Sequence, residues 1–255
     1  MIKLKITLPR VWKSKLHSMK RLLVLLITLL SSPTFAQFTE KAHVSFYGNL
    51  GAPIGEFRQT IQNSIGGNGV GFGTNILINP KKEAAFSPVL IGIEANYLHL
   101  GTEKTPESTF LPQLKTSYNY ITLGPVIRAL LSQREEGIVP FVDGFVGMKL
   151  LNTKTRIDNT IVDTLLDQEY LESLLSTNYE GLGYGMGIGF FTRKLDKGGI
   201  NVGNSFYLKL NYAYGDRLTY VKKGSIAVDS EGFITYKNGK TQTGMITLQA
   251  GIMLY

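Results

Sequence analysis

The sequence predicts an all-β fold, an eight-stranded antiparallel up-and-down transmembrane β-barrel. Three observations predict it. Eight segments of the 255-residue chain alternate apolar and polar side chains with period two. The connections between them alternate short and long. A leader of the export type precedes them all.

The leader comprises residues 1–36. It holds seven basic residues (Lys3, Lys5, Arg10, Lys13, Lys15, Lys20, Arg21) and no acid. Leu22 to Leu30 reads LLVLLITLL, too short to cross a bilayer as a helix, which takes about 20 residues. Lys20 and Arg21 before it, and the run Ser31 to Ala36 after it, complete a signal peptide cleaved after Ala36. A start at Met19 would give a leader of ordinary length, which makes residues 1–18 a candidate upstream extension. Residues 37–255 then form one barrel domain.

The strands follow in order. Residues 42–50 set Val44, Phe46 and Leu50 against His43, Ser45, Tyr47 and Asn49. Residues 69–78 set Val70, Phe72, Ile76 and Ile78 against Gly69, Gly71, Gly73 and Asn75. Residues 89–99 set Val89, Ile91, Ile93 and Tyr97 against Gly92, Glu94 and Asn96. Residues 118–131 set Ile121, Leu123, Ile127 and Leu131 against Tyr120, Thr122, Gly124 and Arg128. Residues 138–150 set Ile138, Val142, Val146 and Met148 against Asp143, Gly147 and Lys149. Residues 182–193 set Leu182, Tyr184, Met186, Ile188 and Phe190 against a column of Gly183, Gly185, Gly187 and Gly189. Residues 205–214 are the clearest, with Phe206, Leu208, Leu210, Tyr212 and Tyr214 on one face and Ser205, Tyr207, Lys209, Asn211 and Ala213 on the other. Residues 245–255 set Ile246, Leu248, Ile252 and Leu254 against Thr247, Gln249 and Gly251.

Connections 79–88, 132–137 and 194–204 are short and rich in turn residues, whereas 51–68, 100–117, 151–181 and 215–244 are long. That alternation puts the short turns and both termini in the periplasm and the long loops outside. A water-soluble barrel would hide its apolar face, whereas a membrane barrel shows it to lipid. Tyr97, Tyr184, Phe190, Tyr212 and Tyr214 lie near strand ends and suit aromatic girdles. The glycine column suits a crowded lumen.

Composition narrows the function. Lys plus Arg is 27 and Asp plus Glu 19, a net charge of +8, but removing the seven leader cations leaves 20 against 19. The excess belongs to the leader and argues for export rather than for nucleic acid. The chain has no cysteine, which excludes disulfides, cysteine metal sites and a lipoprotein anchor. A mean hydropathy of +0.02 is too polar for a helical membrane protein and permits a barrel, whose strands are apolar on one face only.

The chain resembles the small eight-stranded outer-membrane barrels of Gram-negative bacteria, the OmpA-type and porin-like barrel domain. The resemblance covers roughly residues 40–255. It rests on the architecture, on GNLGAPIGEF (48–57) and NYITLGPVIR (119–128), and on a last strand ending at Tyr255. It implies an outer-membrane location and contact with outer-membrane lipid. It also implies that the terminal aromatic Tyr255 is an assembly signal read by the barrel-assembly machinery. No peptidoglycan-binding domain is expected after the barrel.

Five ionisable residues face the expected lumen: Glu94, Arg128, Asp143, Lys149 and Lys209. Glu94, Asp143 and Lys209 lie five or six residues from their short-turn ends and Arg128 about four, one layer at about 3.3 Å per residue. Glu94 with Arg128, and Arg128 with Asp143, sit on adjacent strands. An eight-stranded interior is filled by its own side chains, so these charges are expected to pair as a plug. A gated path for ions or small solutes is the alternative. His43 and Ser45 share the lumenal face of the first strand. A His-x-Ser pair is similar to that of the lipid A deacylase barrels, where histidine activates a serine, but a lumenal polar pair is the expected role here. His43 and His99 face opposite ways, which makes no metal site. GGNGVGFG (66–73) has strand-spaced glycines and no following helix, so it lacks the nucleotide-loop pattern.

Two loop features complete the reading. Within DTLLDQEYLESLL (163–175), Leu166, Tyr170 and Leu174 fall at helical spacing and predict a short amphipathic helix over the barrel mouth or against a partner. Asn238-Gly239 between FITYK and KTQTG predicts a two-residue hairpin turn in a surface extension of the last strands. The expected role is that of a non-enzymatic structural or surface barrel without cofactor, whose long loops meet an envelope protein or an extracellular partner. A narrow channel, an accessory barrel of a secretion or envelope complex, and a lipid-modifying hydrolase are the rival classes.

Overall fold

The computed structural model describes residues 42–64, 68–80, 87–104, 114–132, 136–157, 175–194, 205–222, 225–228 and 234–254. Residues 1–41, Tyr255 and, but for Leu175, which opens a strand, the helix expected over 163–175 lie outside these residues. Eight strands close into a ring: β1 (Ala42–Ile54), β2 (Gly69–Ile78), β3 (Val89–Lys104), β4 (Leu114–Leu130), β5 (Gly137–Ile157), β6 (Leu175–Arg193), β7 (Ser205–Gly215) and, last in the chain, β12 (Gly244–Leu254). Every neighbouring pair is antiparallel, and β12 returns to β1 to close the ring. Chain order is ring order, so this is an up-and-down barrel.

Side chains of successive strand residues point to opposite faces, and the sequence alternation determines which face is which. Every apolar set predicted to face outward does so. Phe72, Leu131 and Met186 are 67%, 65% and 66% exposed, while Arg128 and Lys149 are wholly buried. On β4 the outward apolar column from Ile121 to Leu131 runs about 33 Å, or about 25 Å in height at the usual tilt, the height of a barrel's lipid-facing band. The long-loop end of this band carries two ring clusters, Phe72 with Tyr97 at 5.3 Å and Tyr184 with Tyr214 at 6.1 Å. Phe190 and Phe206, 6.2 Å apart, mark the short-turn end.

The strands overrun the sequence pattern at the long-loop end. β5 continues to Ile157 and β6 starts at Leu175, although the sequence suggests a loop from 151 to 181. Beyond Leu150 the outward residues become Asn152, Lys154 and Arg156 while the inward ones stay Leu151, Thr153 and Thr155. The polarity contrast reverses there but the backbone pairing does not. The wall is therefore tall at β3 to β6, with 16 to 21 residues per strand. It is low at β7, β12, β1 and β2, with 10 to 13.

Three local features shape the long-loop end. After β1, Gly55 takes a φ of +60°, in the left-handed region that glycine occupies without a Cβ penalty, and turns the chain into a helix the alternation pattern does not show, α1 (Gly55–Ser64). In β3 the register slips between His99 and Gly101. This bulge leaves Leu100 and Gly101 successively on the inward side, and Gly101 absorbs it at a φ of +131°. Beyond β7, strand β8 (Arg217–Val221) pairs with β11 (Asn238–Gln242), and β9 (Ala227–Val228) with β10 (Ile234–Thr235). The expected hairpin turn at Asn238-Gly239 is thus corrected. Asn238 lies opposite Val221 and Gly239 opposite Tyr220, so both residues belong to a strand whose partner precedes them by about 20 positions.

Candidate functional site

The lumen is packed in layers. Nearest the short turns lies an apolar and aromatic layer of Tyr47, Leu77, Leu90, Phe141, Phe191 and Tyr207, with four further residues. Above it sits the charged layer, and above that a second apolar layer into which α1 inserts Phe57, 1% exposed, beside Leu98, Tyr118, Tyr120 and Met245.

In the charged layer, Arg128 and Asp143 are cross-strand partners on β4 and β5. The guanidinium donates from Nε to Oδ1 at 2.7 Å and from Nη2 to Oδ2 at 2.9 Å, a bidentate fork. Its Cζ lies 3.8 Å from the centroid of the Phe141 ring, and Nη2 also donates to the Tyr207 hydroxyl at 3.3 Å. Lys209 on β7 donates from Nζ to Glu94 Oε2 at 2.5 Å and to Asp143 Oδ2 at 3.2 Å. β3 and β7 are four places apart whichever way the ring is followed. The Lys209–Glu94 bond therefore joins diametrically opposite walls. Two cations and two anions leave the cluster formally neutral.

Amides complete the network. Asn96 Nδ2 donates to Glu94 Oε1 at 3.0 Å and to Thr122 Oγ1 at 3.2 Å. Asn96 Oδ1 accepts from Asn49 and Gln249, each at 3.1 Å, and Gln249 Oε1 accepts from the Tyr207 hydroxyl at 3.3 Å. All four charged side chains are at most 2% exposed. Such a set is tolerated only when its members satisfy one another.

The sequence reading is corrected at two places. Glu94 does not join Arg128, although their strands are neighbours. The register sets Glu94 against Gly124 and Arg128 against Leu90, so the two are four residues apart along the wall. Lys149 is lumenal but stands apart from the charged layer, six residues above Asp143 on β5. It donates to the Asp216 carbonyl at 2.6 Å and to the Thr243 hydroxyl, tying β5 to the β7–β8 bend and to the start of β12. The network residues Asn49, Asn96, Tyr207 and Gln249 carry alternating inward parity in the sequence but no charge to single them out.

His43 and Ser45 both face the lumen below the charged layer. The His43 ring meets Phe191 edge-on at 6.5 Å. Ser45 Oγ is buried and makes no hydrogen bond among the described residues, so the two are not joined as base and nucleophile. His99 faces outward, where Nδ1 meets Asn119 Oδ1 at 2.9 Å. Among the described residues no three metal-ligating side chains converge. The glycine column does give its neighbours room. A Cβ at Gly189 would meet the Phe141 ring at 2.6 Å, and one at Gly187 would meet Lys209 Cδ at 3.1 Å.

No protein-family model and no curated protein matches the chain. Among solved structures it is similar to Neisserial surface protein A, at 10% identity and a TM-score of 0.42 over 84% of this chain and 96% of that one. It is similar to Ail, the attachment invasion locus protein of Yersinia pestis, at 15% identity and a TM-score of 0.37 over 84% and 98%. A major outer membrane protein from Thermus thermophilus gives 11% identity and a TM-score of 0.41 over 83% and 98%.

Proposed function

We propose that the chain is an outer-membrane barrel with a closed lumen, exported by its leader, that serves as a non-enzymatic structural or surface protein through its long-loop end. The bond from Lys209 to Glu94 across the full width of the lumen carries the closed-lumen reading. The inverted partition, apolar outside and charged inside, supports the membrane reading, because lipid replaces water around such a barrel. On this reading the tall wall of β3 to β6 and the β8–β11 extension stand outside the cell, and Tyr255 serves barrel assembly.

A narrow channel is the second reading. Ser45 Oγ and Arg128 Nη1 are buried with no hydrogen-bond partner among the described residues, which favours ordered water in the lower lumen. Planar-bilayer recording of the refolded mature chain separates the two, alongside heat-modifiable migration and membrane fractionation. The closed barrel gives no stable conductance. Steady single-channel currents that change in Glu94→Ala would replace it with the channel. Recovery of the exported chain in the soluble fraction would overturn the membrane reading altogether.

A further inference from the structure

The outward face changes character along one hydrogen-bonded row. His99, Asn119, Asn152 and Asn178 occupy matching register positions on β3, β4, β5 and β6. Asn119 Nδ2 donates to Asn152 Oδ1 at 3.0 Å, and Asn152 Nδ2 to Asn178 Oδ1 at 2.6 Å. Tyr97 donates to Asn119 Oδ1 at 2.8 Å from just below. On β3 to β5 the outward residues below this row are apolar or aromatic.

Directly above it, the outward positions of β3 to β5 are Thr102, Lys104, Lys115, Ser117, Lys154 and Arg156. Four are cations and none is an acid. The register puts Lys115 opposite Lys104 on one side and Arg156 on the other. Like charges directly opposed across strands destabilise a sheet. The only carboxylate of β3 in this stretch, Glu103, points inward, where the Tyr118 hydroxyl donates to it at 3.5 Å. Glu180 of β6 faces outward but below the row, opposite Leu150. Lys115 and Arg156 stand four residues above the row, about 13 Å along the strand and about 10 Å in height at the usual tilt. The interfacial layer of a bilayer is about 5–7 Å deep on each side, and long basic side chains reach back along apolar surface. Lys115, Lys154 and Arg156 are thus held at headgroup height, where a run of like charge favours an anion.

We propose that Lys115, Lys154 and Arg156, with Lys104 beside them, form a binding site for the phosphate groups of lipid headgroups in the surrounding leaflet. The inference rests on the membrane reading above. The anion offsets the repulsion of the like-charged register, and the Asn row sets its depth.

The full mature barrel is refolded into vesicles of neutral phosphatidylcholine alone and into the same vesicles containing anionic phosphatidylglycerol. Heat-modifiable migration in the neutral vesicles reads the barrel. Native mass spectrometry of the extracted protein reads retained anionic lipid. The wild type retains anionic lipid in preference to neutral lipid. The variant Lys115→Gln/Arg156→Gln folds equally well in neutral vesicles and loses affinity for the anionic lipid about thirty-fold, as expected for two cations near an anionic surface. Inorganic phosphate in excess leaves the retained lipid in place. Equal retention by the variant overturns the site, and displacement of lipid by inorganic phosphate overturns the lipid as its ligand. Failure to fold in neutral vesicles overturns the membrane reading instead.

Discussion

Replacing Lys209 with methionine tests the bond that spans the lumen. Methionine keeps most of the length of the stem and removes the charge. Lys209 Nζ lies 2.5 Å from Glu94 and 3.2 Å from Asp143, and both carboxylates are almost wholly buried. Arg128 still neutralises Asp143 through its fork, so the change strands one carboxylate, Glu94, against the opposite wall. Breaking a buried pair by removing one partner costs about 3–5 kcal/mol, and that is the expected loss. Adding Glu94→Gln removes the stranded charge while keeping an acceptor for Asn96, so the double variant should recover to within about 2 kcal/mol of wild type. Lys149→Met is the comparator. That lysine is also buried, but its hydrogen bonds go to the Asp216 carbonyl and Thr243, so its loss strands no carboxylate and should cost about 1–2 kcal/mol. Urea unfolding in micelles, followed by circular dichroism and heat-modifiable migration, measures wild type, the double variant and the three single variants Lys209→Met, Glu94→Gln and Lys149→Met. Tryptophan fluorescence is no help, because the only tryptophan, Trp12, precedes the first barrel strand in the sequence. Equal losses for Lys209→Met and Lys149→Met, or a double variant as unstable as the sum of its parts, would refute a coupled bond across the lumen.

Met186→Arg on the outward face should destabilise by about 2–4 kcal/mol in vesicles, since Met186 sits midway along the outward apolar column of β6; a loss under about 0.5 kcal/mol would mean that water, not lipid, meets this face. Gly189→Ala should cost about 1–3 kcal/mol, because its methyl would overlap the Leu208 carbonyl oxygen and the Phe141 ring on which Arg128 rests; unchanged unfolding midpoints would show that both the strand and the ring yield freely. Phe57→Ala should loosen α1 and cost about 3 kcal/mol, read by faster hydrogen exchange across residues 55–64 than in wild type. The tether of α1 should also weaken in acid. Arg217 donates to Glu56 at 2.7 Å and holds its carboxyl below the usual glutamate range. A lowered folded pKa contributes stability above the unfolded value and loses it as pH falls through the folded one. Exchange in α1 should therefore rise below about pH 4.5, and Arg217→Gln should shrink that dependence to the part that a backbone hydrogen bond at Gln242 contributes; the same acid response in both proteins would exclude this pair as its cause.

What the sequence makes legible follows from how polarity is divided between the two faces. Between the two aromatic bands the outward face of each strand is apolar, while the inward face carries the polar, charged and glycine positions, so period two reports both the strand and its facing. Above the row of His99, Asn119, Asn152 and Asn178 the exterior is polar too. Leu151, Thr153 and Thr155 then face inward opposite Asn152 and Lys154, and the alternation no longer announces a strand. Hence β5 and β6 extend past the pattern. α1 is hidden for a different reason. Its ten residues carry Phe57 and Ile61 four apart, a single apolar step too short to stand out from a loop. Within the site, Arg128 with Asp143 was legible because neighbouring strands bring them side by side. Lys209 with Glu94 was not, because only closure of the ring decides which wall stands opposite which.

The bulge in β3 means that this strand is written in two frames. Up to His99 the odd-numbered residues face outward, and from Thr102 the even-numbered ones do. Leu100 is the surplus residue that makes the shift. An in-frame deletion of codon 100 would thus leave Lys104 outside and Glu103 inside, at the expense of one lumenal leucine. Suppressing the bulge while keeping all residues would do the reverse, turning Glu103 toward the exterior and Lys104 into the barrel. The sign of the charge shown at this edge is set by whether the pairing skips one residue, rather than by that residue's chemistry.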